Sequence, residues 1–147
     1  MANVDLTIAH WENVAATRKA VLEIASEWKN TPYLMGGNSK DGIDCSHFVY
    51  QVLNASREKV AKPYPAPQII DYRNTATIEA SGVFFPIKVP ESCDFVLWDS
   101  HIGIIIDPNE GKSIGAQTST GVAEASYTSG HWAKQSGKRF IRFVHFF

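Results

Sequence analysis

The sequence predicts an α+β domain, with helices early in the chain and an antiparallel β-sheet after them. Three observations carry this. Apolar residues recur at helical spacing between Ile8 and Asn54, short β-rich runs take over after Ser81-Gly82, and Asp99-Ser100 joins two of those runs as a hairpin. Helices grouped ahead of strands pack together on one face of such a sheet. At 147 residues the chain reads as a single domain, 1–147, long enough to bury a real core.

Composition narrows the function. The hydrophobic fraction of 44% and charged fraction of 20% are those of a globular protein, and a formal charge of −1 offers no electrostatic footprint for nucleic acid. No run is long and apolar enough for a membrane span, and Met1 to His10 lacks the basic-then-apolar layout of a signal peptide. The chain as given is therefore expected to be made in the cytoplasm. Cys45 and Cys93 make no disulfide framework, and both are expected to be reduced.

In chain order, Ile8, Trp11, Ala15, Val21, Leu22, Ala25 and Trp28 place a first helix over Ile8 to Lys29. Pro32 closes it by forcing Thr31 out of the α region. A loop rich in Gly and Asp follows. Phe48, Val49, Val52 and Leu53 then mark the buried stripe of a second helix, Cys45 to about Asn54, with Asp44 in the N-cap position. Lys62 to Gln68 is too rich in proline for a regular element, and Ile69 to Arg73 forms a short helix after it. Val83 to Val89 contains Pro86, which confines it to a sheet edge. Asp94–Trp98 and His101–Ile106 form the hairpin, Asp107 to Gly111 a turn, Lys112–Gln117 a third strand and Arg139–Phe147 the last.

Cys45 falls in the first turn of the second helix, on the face turned to the core, where the positive end of the helix dipole favours the nucleophilic thiolate. A small buried cysteine that only packs is the alternative. The capped helix start directly after a glycine-rich loop favours the reactive one. A thiol nucleophile needs a base, and the base needs a group to orient it. His101 opens a strand beside a tight turn, at a sheet end that a helix N-terminus can meet, and is the candidate base. His47 shares a polar face with Tyr50, Gln51 and Asn54, His10 lies in the first helix, His131 in a Gly/Ser-rich loop, and His145 alternates with aromatics in the last strand. None has metal-ligand spacing with another His or Cys, so no metal and no cofactor is expected. Gly115 and Gln117 share one face of the third strand, and only Gln117 has an oxygen to accept the imidazole N–H and fix its tautomer.

The runs TPYLMGGNSKDGIDCSHFV, DFVLWDSHIGIII and KSIGAQTSTGV, spanning about Thr31 to Val122, resemble the NlpC-type cell-wall peptidases, a papain-like cysteine hydrolase family. The resemblance implies a papain-like fold with N-terminal helices packed on a central antiparallel sheet. It implies Cys45 as nucleophile, His101 as base, Tyr33 lining the site, and Asp44 and Ser46 beside the substrate groove. The implied substrate is an amide bond in a peptidoglycan stem peptide, around D-glutamate or diaminopimelate. Three departures stand out: His47 replaces the usual small residue and so adjoins the groove, Cys93 replaces a Gly, and Gly115 occupies the place of the third histidine of many members. Gln117 is then the nearest substitute for that histidine.

The absence of a signal peptide and of a wall-gripping repeat resembles the small amidase toxins delivered by type VI secretion. That likeness implies action in the periplasm of a target cell, with an immunity protein as partner. The alternatives are a housekeeping or phage-derived wall endopeptidase and a non-catalytic wall-binding relative. Asp44-Cys45-Ser46-His47-Phe48 also echoes lecithin–retinol acyltransferase-like enzymes, but those place the histidine before the cysteine.

Overall fold

A computed structural model describes residues 2–60 and 75–146. Helix α1 spans Ala2–Glu27. The hairpin strands β1 (Asn38–Ser39) and β2 (Gly42–Ile43) precede α2, Cys45–Lys59. Helix α3 (Thr75–Ala80) leads to β3 (Phe84–Ile87), β4 (Phe95–Leu97), β5 (Ile102–Asp107), β6 (Lys112–Gln117) and β7 (Gly121–Ser126). A single-turn α4 (Gly130–Ala133), β8 (Arg139–Phe143) and a 3-10 turn, Val144–Phe146, complete the order. The main sheet has six antiparallel strands in the order β3-β8-β4-β5-β6-β7. Helix α1 packs on α2, and α2 lies across β5 and β6, so the α+β arrangement predicted from the order of elements is the one formed.

Several boundaries differ from the sequence expectation, each for a physical reason. Helix α1 begins before Ile8 and ends at Glu27, and Asn30 then reverses the chain with φ of 71°. Its buried stripe is Val14, Thr17, Val21, Ile24, Ala25 and Trp28, while Trp11 is 54% exposed and Ala15 is also on the solvent side. Thr17 is admitted to the core because its hydroxyl donates to the Asn13 carbonyl at 2.6 Å. Helix α2 runs past Asn54 to Lys59, since the core stripe continues through Ser56, whose hydroxyl is satisfied by the Val52 carbonyl at 2.5 Å. The Pro-rich stretch Lys62–Gln68 and the short helix at Ile69–Arg73 lie outside the described residues.

Pro86 does sit on an edge strand, because β3 pairs with β8 alone. The expected hairpin is closed by the Trp98 N–H donating to the His101 carbonyl at 2.8 Å, with Leu97 opposite Ile102. Strand β7 was not expected from the sequence; after a tight turn it pairs with β6 along its whole length, from Gln117 opposite Gly121 to Lys112 opposite Ser126. Strand β8 stops at Phe143, so His145 stands in the 3-10 turn rather than in a strand. It is also an inner strand, between β3 and β4.

Two apolar clusters lie on the two faces of the sheet. The larger joins α1 and α2 to Phe95, Leu97, Ile102, Ile104, Ile114 and Ile141. The smaller holds Val96, Trp98, Ile105 and Tyr127, with Trp132 and Phe140 packed against it, as alternation along β4 and β5 requires. Both thiols are free, and Cys93 is fully buried with its sulfur 2.9 Å from the Arg18 carbonyl. Among the described residues no helix is long and apolar enough to cross a membrane.

One buried charge ties β8 to the start of the hairpin. Asp94 is 0% exposed, and Arg142 grips its carboxylate through Nε and Nη2, each at 2.8 Å, while the Glu91 N–H donates to it at 2.7 Å. Removing one partner of such a pair strands a charge in a dry site. Arg142→Met is therefore expected to lower the unfolding free energy in urea by about 3 kcal/mol, and the double variant Arg142→Met/Asp94→Leu to recover part of it. A single variant as stable as wild type would show that Arg18, whose Nη2 lies 3.7 Å from Asp94, compensates on its own.

Candidate active site

The site is assembled at the N-terminus of α2. Asp44 is 5% exposed and acts as the N-cap: its Oδ1 accepts from the His47 backbone N–H at 2.8 Å, as the sequence predicts. The same oxygen accepts from the Ser46 hydroxyl at 3.1 Å and lies 2.9 Å from His47 Nδ1, while Oδ2 accepts from the Gly36 N–H at 3.1 Å. One carboxylate thus binds the glycine loop to the first turn of the helix. The loop is drawn in tightly: a Cβ on Gly37 would fall 2.5 Å from the Gly42 carbonyl oxygen. Leu34 and Met35 on this loop remain 56% and 84% exposed.

Cys45, half-buried, follows the cap. Burial pushes its thiol above the ordinary value and the Asp44 charge adds to this, against the opposing pull of the backbone N–H groups of Ile102, Ser46 and Cys45 itself. The thiolate that a helix N-terminus favours is thus opposed here by desolvation. Contact with the Ile102 amide sets the sulfur beside the start of β5, where His101 stands. Tyr33, bridged to Ile43, borders the same place, its hydroxyl pushed up by burial first and then by Cys45 and Asp44.

His101 is 7% exposed, and its imidazole is lowered to about 4, by burial first and then by His131. At rest the pair is thus a neutral thiol and a neutral imidazole. The ring turns Nε2 toward β6, where a Cβ on Gly115 would stand only 3.2 Å away. Gly115 leaves that edge of the ring bare. Among the described residues His101 has no side-chain hydrogen-bond partner.

Gln117 lies on the strand face expected, but the direct bond to His101 is not formed. Its Oε1 instead accepts from the Trp132 indole N–H at 2.8 Å, and its Nε2 donates to the Ala123 carbonyl at 3.3 Å. Trp132 in turn stacks on His101, with ring centroids 4.1 Å apart and planes at 14°. Sequence reading missed Trp132, because a tryptophan in a Ser/Gly/His loop gives no hint that α4 folds onto the sheet. Tyr33, Asp44, Cys45, Ser46 and His47 are brought together around the helix start, His101 joins them through β5, and Gln117 is one residue removed. The described residues contain no group of three His, Cys, Asp or Glu able to hold a metal ion.

The family model described as the NlpC/P60 family matches residues 30–139, and the chain belongs to that family. It is 28% identical over 123 residues to the murein DD-endopeptidase MepS/murein LD-carboxypeptidase of Escherichia coli K12, covering 80% of this chain and 59% of that protein. To a probable endopeptidase NlpC homolog of Haemophilus influenzae it is 30% identical over 118 residues, covering 79% and 58%. The chain thus spans about three-fifths of the length of these curated relatives. The crystal structure of the P60 domain of an M. avium subspecies paratuberculosis antigen shares the papain-like fold, with a TM-score of 0.62 and 15% identity over 89% of this chain and 96% of that one.

The buried imidazole has a consequence for stability. Its folded-state pKa is depressed from 6.5 to about 4, so the unfolded chain takes up this proton first. Stability should therefore fall as the pH drops from about 6.5 and level off near 4, a loss of about 3 kcal/mol from this group. Urea unfolding of wild type and His101→Gln across that window measures it: the variant should lose about that much less. Equal losses would mean that His101 is not held neutral by burial.

Proposed function

We propose that the protein is a cysteine-dependent hydrolase that cuts amide bonds in peptidoglycan stem peptides. The observation that carries this reading is Cys45 at a capped helix start, with the amide of Ile102, the residue that follows the buried His101, acting on its thiol. Membership of the NlpC/P60 family and the murein endopeptidase name of the Escherichia coli relative support this choice of substrate class.

In this reading His101, through Nδ1, takes the thiol proton as Cys45 Sγ bonds to the amide carbonyl carbon. Asp44 Oδ1 engages the His47 N–H, and the N–H groups of Cys45 and Ser46, which act on the thiol at rest, are assigned to receive the carbonyl oxygen as it becomes an oxyanion. Collapse breaks the C–N bond, the imidazolium returns its proton to the leaving amine, and a thioester remains. Water, deprotonated by His101, attacks the thioester carbon; the new carboxylate leaves, and the sulfur recovers its proton. Tyr33 and His47 border the side on which the stem peptide is proposed to lie, around D-glutamate or diaminopimelate, and the buried Asp44 and Ser46 support that edge from behind. His47 is held there by Asp44, 2.9 Å from its Nδ1. Gln117 belongs to the machinery that orients the base.

The site of action is then the periplasm, where stem peptides are found. The narrower reading, an antibacterial toxin delivered to a target cell and held in check by an immunity protein, is favoured by the exposed apolar lip of Leu34 and Met35 beside the nucleophile loop. A blocking partner has an apolar surface to cover there.

Digestion of purified peptidoglycan followed by mass analysis of the fragments tests the chemistry. Wild type should release stem-peptide fragments with a new amine and a new carboxylate. Cys45→Ala should be folded and inert, whereas Cys93→Ala should stay active. Fragment release by Cys45→Ala at the wild-type rate would refute the mechanism. Expression exported to the bacterial periplasm should cause lysis that depends on Cys45, and expression kept in the cytoplasm should not. Toxicity confined to the cytoplasm would point to another substrate.

A further inference from the structure

The His101 ring has a packed face where a hydrogen-bonded edge would be expected. On the β6 side the residue facing Nε2 is Gly115, which has no side chain to offer. On its face, Trp132 lies nearly parallel at 4.1 Å, and Trp98, 1% exposed, stands behind with its ring 5.5 Å from the imidazole and 4.8 Å from the Trp132 indole.

Trp132 is itself held from two directions. Its carbonyl accepts from the Trp98 indole N–H at 3.0 Å, and its own indole N–H donates to Gln117. The orientation of the Gln117 amide follows from chemistry: an indole N–H is only a donor and a carbonyl only an acceptor, so Oε1 must face Trp132 and the NH₂ must face Ala123. Both ends of the amide are engaged.

We propose that Trp132 is a positioning residue for His101, replacing the hydrogen bond of a third catalytic side chain by ring stacking, and that Gln117 acts through Trp132 rather than on the histidine. Stacking fixes the plane of the imidazole, and with it the directions in which its two nitrogens can act. It also meets the charge that develops. When the ring takes the Cys45 proton it becomes a cation over the electron-rich indole face, an attraction that the neutral ring lacks. The stack therefore favours the reacting state over the resting one, as an orienting acceptor would.

This inference rests on the Cys45–His101 reading above, and a double-mutant cycle separates the two. Trp132→Leu fills space without a π face and should lower kcat about tenfold on peptidoglycan fragments, with KM little changed. Trp132→Phe keeps the stack but loses the indole N–H, and should restore most of that loss. Gln117→Ala should cost roughly two- to fourfold alone and nothing further in the Trp132→Phe background, where its bond no longer exists. The same Gln117 factor in both backgrounds would mean that Gln117 acts on His101 directly and would overturn the proposal, as would wild-type kcat in Trp132→Leu.

A readout independent of turnover is the ring-current shift of the His101 Cε1 and Cδ2 protons. It should be large in wild type and Trp132→Phe and clearly smaller in Trp132→Leu, where only the more distant Trp98 ring remains. If Trp132→Leu does not fold, the Trp132→Phe and Gln117→Ala cycle decides alone. A wild-type protein inert to peptidoglycan, yet showing the ring-current pattern, would sink the functional reading and leave the stack standing; an active one with an additive cycle would sink only the inference.

Discussion

The arrangement of the site depends first on the Asp44 carboxylate. It is nearly excluded from water, and it is stabilised there by donors from both sides: the Gly36 amide of the loop, and the Ser46 hydroxyl and His47 amide of the helix. Capping alone contributes about 1 kcal/mol to a helix. The larger effect is geometric, because the same group that starts α2 also fixes how the glycine loop meets it. Cys45 is the next residue, so its sulfur inherits that geometry. The Asp44 N–H completes the tie by donating to the Gly37 carbonyl at 3.2 Å.

A second constraint opposes the first. A helix N-terminus favours a thiolate, but the position that puts Cys45 against β5 also takes it out of water, and its thiol is pushed up while His101 is pushed down. A resting ion pair is disfavoured in such a site. In the mechanism proposed above the proton moves during attack, which demands that the imidazole already be aimed at the sulfur. The aromatic cluster on the far face of the sheet meets that demand in a region that looks structural. Trp98 and Trp132 both pack in the second apolar cluster, and the His101 ring lies against both.

Much of this was legible along the chain. Asp44 before the apolar stripe Phe48, Val49, Val52 and Leu53 announced a capped helix, and all four of those residues are 0% exposed. Pro86 on an edge strand, the hairpin across Asp99-Ser100 and the strand Lys112–Gln117 follow rules that act within a few residues. Less legible was the phase of α1. Trp11 looks like core by hydrophobicity, yet its exposure is set by where the neighbouring turns of the same helix meet α2.

What the sequence by itself determined is the local chemistry: a cysteine at a capped helix start, a histidine at a strand start, a glycine where a third histidine is common, and the α+β order that brings such elements together. These are consequences of periodicity, capping and turn residues, all short-range. Only the tertiary structure decided the ionisation of the pair and the partner of Gln117. Ionisation depends on how much water the packed sheet and helix exclude from Cys45 and His101, which no spacing encodes. The partner of Gln117 depends on α4 folding back over the sheet, so that an indole N–H from a distant loop reaches the amide before the histidine does.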